Sequence, residues 1–130
     1  MVEKLQRLVY EHFDDFVAVR AERKFKEVAK DLAMLLTPDV LEKMAQGDIP
    51  LADVMPVIAK VYPRLSPANV KPDAVSNPGV RYLLNLTDAR ILALLDQVMP
   101  EQVRVLYRHP GYASKVILSL KRMVSGDVMY

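Results

Sequence analysis

"EKLQRLVYEHFDDFVAVRAERKFKEVAKDLAMLL", residues 3–36, contains neither glycine nor proline and is rich in good helix formers. It predicts one long N-terminal helix over about 3–36, on the order of 50 Å at ~1.5 Å per residue. The apolar positions within it do not keep to one face. Val2, Leu5, Val9, His12, Phe16 and Val19 are spaced alternately three and four apart, a coiled-coil seam with His12 as its polar member. From Ala21 onward the stripe is Ala21, Phe25, Val28, Leu32 and Leu35. Continuing the first seam would instead reach Arg23, Lys26 and Lys30, so the second stripe is displaced by two residues, ~200° around a helix.

A continuous helix with this pattern buries opposite faces in its two halves. Either it breaks near residues 17–21, or later helices of the chain cover both faces, or the N-terminal half packs against something else. No glycine or proline supports a break, and a second copy related by a twofold axis is the simplest cover. The pattern therefore points to a homodimer with residues 2–19 as a dimerisation arm. Its interface would be Leu5, Val9, His12, Phe16 and Val19.

The same region, "LVYEHFDDFV" (residues 8–17), also carries the densest cluster of ionisable groups near a histidine. His12 and Asp15 share a helix face, but a helical metal site draws ligands from two or more helices. The paired Glu-x-x-His motifs of di-iron bundles are absent, and the other histidine, His109, is remote in sequence. Asp14 and Asp15 diverge by ~100° and make no acid/base pair. His12 reads as a seam residue that sets register, with Glu11, Asp14 and Asp15 in water. No glycine-rich phosphate loop, nucleophile elbow or Ser–His–Asp order occurs either. The expectation is a protein that is not an enzyme, with no metal and no cofactor.

Beyond residue 36 the chain is punctuated by caps and prolines. Thr37-Pro38-Asp39 supplies an N-cap, a proline at the first helical position and an acid in the first turn. That helix should end at Gly47 as a left-handed cap, and another starts after Pro50, with Pro56 kinking it or opening a further one. Pro63, Pro67, Pro72 and Pro78 make 63–79 an extended loop laid over one body, closed by an "NPG" type II turn. Three helices follow: one capped by Thr87, one opened by Pro100, and one after the "PGY" break at 110–112. The two runs "LTPDVL…DVMPVIAKVYP" and "LTDARIL…QVMPEQVRVLYRHP" echo each other, although their spacing differs and ordinary helix punctuation produces the same pattern. The chain reads as a single all-α domain, 1–130, of about six helices in an orthogonal or bundle-like array.

Two basic clusters remain. Arg20, Arg23, Lys24, Lys26 and Lys30 interleave with Glu22, Glu27 and Asp31, and Glu22–Lys26 and Arg23–Glu27 fall four apart, a salt-bridged face in water. The C-terminal cluster supports an alternative: a helix-turn-helix DNA-binding regulator over 100–124. There Ser114 and Lys115 would approach base edges, with Arg104, Arg108 or Arg122 on phosphates and Lys121 a further nucleic-acid-binding residue. The start of the last helix lacks the Asn, Gln and Arg used in base readout, so nucleic acid is the second choice as partner. His109 would close its helix as a cation at the negative end of the dipole.

Bulk properties set the remaining bounds. A chain of 130 residues with 52% hydrophobic and 26% charged residues suits one domain with its own core. A net charge of +2 implies no affinity for nucleic acid or membranes by itself. The absence of cysteine removes disulfides, thiolate metal sites and cysteine nucleophiles. The N-terminus lacks the basic and continuous apolar regions of a signal peptide, and no apolar run reaches membrane-spanning length, so a cytoplasmic location is expected.

Overall fold

The computed structural model describes residues 4–7, 13–61 and 77–124. Helix α1 (Phe13–Ala33) passes through positions 17–21 without a break. Its inward stripe is Val17, Ala21, Phe25, Val28 and Leu32, all buried, so Val17 belongs with the second stripe of the sequence pattern. The long helix expected over about 3–36 is corrected on both sides. Residues 4–7 are helical, residues 8–12 lie outside the described part, and α1 itself has 21 residues, ~32 Å of helix. At its C-terminal end, Met34 and Leu35 donate to carbonyls three residues back, Asp31 (3.3 Å) and Leu32 (3.0 Å). The last turn thus tightens to a 3₁₀ geometry.

Among the described residues six further helices follow: α2 (Pro38–Gln46), α3 (Leu51–Val61), α4 (Pro78–Asn85), α5 (Asp88–Val98), α6 (Pro100–Arg108) and α7 (Pro110–Val124). No strand occurs among the described residues, and the fold is all-α. The expected total of about six helices is too low because α4 replaces the foreseen type II turn. Asn77 is its N-cap, accepting from the Gly79 N–H at 3.0 Å, and Pro78 takes the first helical position. "NPG" is thus a helix start. Likewise "PGY" is no break: α7 begins at Pro110, and His109 alone joins α6 to it.

The chain's cap chemistry otherwise acts as its sequence suggests. Thr37 and Thr87 each accept from the N–H three residues on, those of Val40 (3.3 Å) and Arg90 (3.2 Å). The left-handed residue after α2 is Asp48, φ 50°, whereas Gly47 stays right-handed. Ile49 N–H bonds to Met44 O and Asp48 N–H to Ala45 O, the two bonds of a Schellman motif. Pro56 sits inside α3 while Pro100 opens α6, so the two Met-Pro pairs of the sequence echo occupy different structural positions.

One buried cluster ties the helices together. α1 packs on α4, α5 and α7, while α6 bridges α5, α7 and α2. Phe25, Leu83, Ile91 and Leu95 are fully buried at its centre. Among the described residues this body lies on one side of α1, and Phe16 and Val19 on the opposite side are exposed.

Candidate interaction surface

On the face of α1 away from the core, Phe16 is 48% and Val19 66% exposed, and Phe13 is also exposed. Leu5, in the helical turn at 4–7, is 63% exposed. At ~100° per residue this stripe lies ~150° from the Val17–Leu32 stripe. The helix is unbroken at 17–21, and among the described residues Phe16 and Val19 are exposed. Val9 and His12 lie outside the described residues. The same face continues past Val19 as Arg23, Glu27 and Lys30, all exposed, and ends in Met34, which is 71% exposed.

The charges of α1 are less uniformly solvated than their spacing suggests. Glu22 reaches across to α4 and α5, accepting from the Tyr82 hydroxyl (2.5 Å) and the Arg90 guanidinium (2.5 Å), and Lys26 donates to Gln97 at 3.2 Å. Glu27 lies 3.6 Å from Lys24. The ladder expected from Glu22–Lys26 and Arg23–Glu27 is replaced on one flank by a tie to α4 and α5.

Among the described residues, two buried polar side chains hold helix ends: Gln102, which the sequence reading did not single out, and Lys121, which it placed in a nucleic-acid surface. Gln102 on α6 donates from its amide to Leu36 O (2.9 Å) and Ala33 O (3.3 Å), closing the tightened end of α1. Lys121 on α7 donates to Leu86 O (2.6 Å) and Leu84 O (3.3 Å) at the end of α4. Both sit at inward helical spacing, Gln102 beside Val103 and Leu106, Lys121 beside Ile117 and Val124. A polar residue on an apolar stripe was the available signal.

This changes the C-terminal cluster. Lys121 points inward, Lys115 pairs with Asp48 at 3.0 Å, and the Ser114 hydroxyl donates to Asp88 at 3.2 Å. Arg108 lies 3.6 Å from Glu42, which also meets the His109 imidazole Nε2 at 2.9 Å. Arg104 and Arg122 are exposed. More than half of α7 is buried, including Tyr112, Val116, Ile117 and Leu120, which is the burial of a core helix. His109 does sit at the C-terminal end of α6, but a neighbouring helix supplies its carboxylate partner.

An open depression of about 470 Å³ lies beside His109, bordered by Asp48, Arg108, Gly111, Tyr112 and Lys115. The Tyr112 hydroxyl is held by the Ile49 carbonyl, and the cations on the rim face Glu42 and Asp48. A second hollow of about 270 Å³ is apolar, walled by Leu35, Leu36, Val40, Met44, Val57 and Ile58. Among the described residues, no three metal-ligating side chains converge, and no helix is long and apolar enough to cross a membrane.

No protein-family model, curated protein or solved structure matches this chain. Its function must be argued from the surface of α1 and its surroundings.

Proposed function

We propose that this is a non-enzymatic helical assembly protein that works as a homodimer, joined through its N-terminal apolar face. The observation that carries this reading is the exposure of Phe16 and Val19 on an unbroken helix whose opposite side is fully committed to the core. Large apolar side chains repeated at helical spacing on an open face mark interaction sites. Leu5 extends the same seam, and Val9 and His12 fall on it by sequence spacing. Phe16→Asp tests it, because residue 16 lies outside the buried core and is 48% exposed. Sizing with light scattering should give a dimer for the parent chain and a monomer for Phe16→Asp. A parent that is monomeric at high concentration removes the reading.

The DNA-binding alternative gains no support from the arrangement of 100–124, where Lys115, Lys121 and Ser114 have partners within the fold. If several phosphates were contacted, retention on duplex DNA would fall steeply with salt.

A further inference from the structure

We draw no further inference here: the strongest candidate, the open depression between the α2–α3 joint and the first turn of α7, has its rim cations Arg108 and Lys115 already facing Glu42 and Asp48, and nothing besides the start of that helix points to a ligand there.

Discussion

Gln102 is an uncharged polar side chain on the buried face of α6, and its partners are backbone carbonyls of another element. The carbonyls that end an α-helix have no intrahelical donor. At α1 they meet Gln102 inside the protein, where water would otherwise have satisfied them. Replacing Gln102 by leucine keeps much of the volume and leaves the Leu36 carbonyl buried without this donor. The expected cost is about 1–3 kcal/mol. Urea unfolding should show a lower midpoint with an unchanged slope, and an unchanged midpoint would mean that other donors satisfy these groups.

Glu22, also at this scale, makes stability depend on pH in a definite direction. Partial burial raises its carboxyl, but hydrogen bonds from Arg90 and Tyr82 and the charges of Arg90 and Lys26 outweigh that, leaving it below its ordinary value of 4.5. A group lowered by folding adds stability above its unfolded value and loses it as pH falls through the folded one. Glu22→Gln should therefore flatten the loss of stability below about pH 4.5. Tyr82 answers at the alkaline end: burial, then the hydrogen bond to Glu22 and its charge, push the hydroxyl from 10.0 up to about 12. That contribution is complete below about pH 10 and disappears as pH rises towards 12, so Tyr82→Phe should remove part of the alkaline decline. Denaturant titrations across pH read both limbs. Curves for both variants parallel to the parent's would show that the cluster is not coupled to folding.

Among the elements, α4 shows what sequence reading could and could not reach. Its cap was visible in Asn77-Pro78-Gly79, but the same three residues also favour a turn, and eight residues hold too few apolar positions to decide. Tertiary contacts decide it: Val80 and Leu83 are buried against the core, and Lys121 from α7 closes its end. The stripe at Ala21–Leu32 was legible because 21 residues sample the helical period many times. The Gln102 and Lys121 contacts were not, since each joins residues more than thirty apart in sequence. Lys121→Met retains the apolar stem and removes the donor from Leu84 and Leu86. It should cost about 1.5–3 kcal/mol, the range for hydrogen bonds made by a charged group. Backbone amide exchange should accelerate in α4 before it does in α1. Uniform acceleration would place Lys121 in the general core rather than at this helix end.

For the whole molecule, the body and the proposed dimer surface are separable. The buried cluster is assembled from α1–α7 of one chain, and the exposed Phe16 and Val19 lie outside it. A monomer should consequently fold alone, with association adding stability by mass action. Dimer dissociation coupled to unfolding makes the apparent Tm rise with protein concentration, whereas a monomer's Tm does not change. The parent chain, followed by circular dichroism over a hundredfold concentration range, should show this rise. Phe16→Asp should keep its helical signal, unfold cooperatively and have a Tm independent of concentration. At the lowest concentrations, where the parent has dissociated, the two curves should converge if residue 16 stands outside the folding unit. If Phe16→Asp is unfolded at every concentration, residue 16 belongs to the folding unit and the separation of body from surface fails. If the parent Tm is also flat while sizing still reports a dimer, association is too weak to bear on stability.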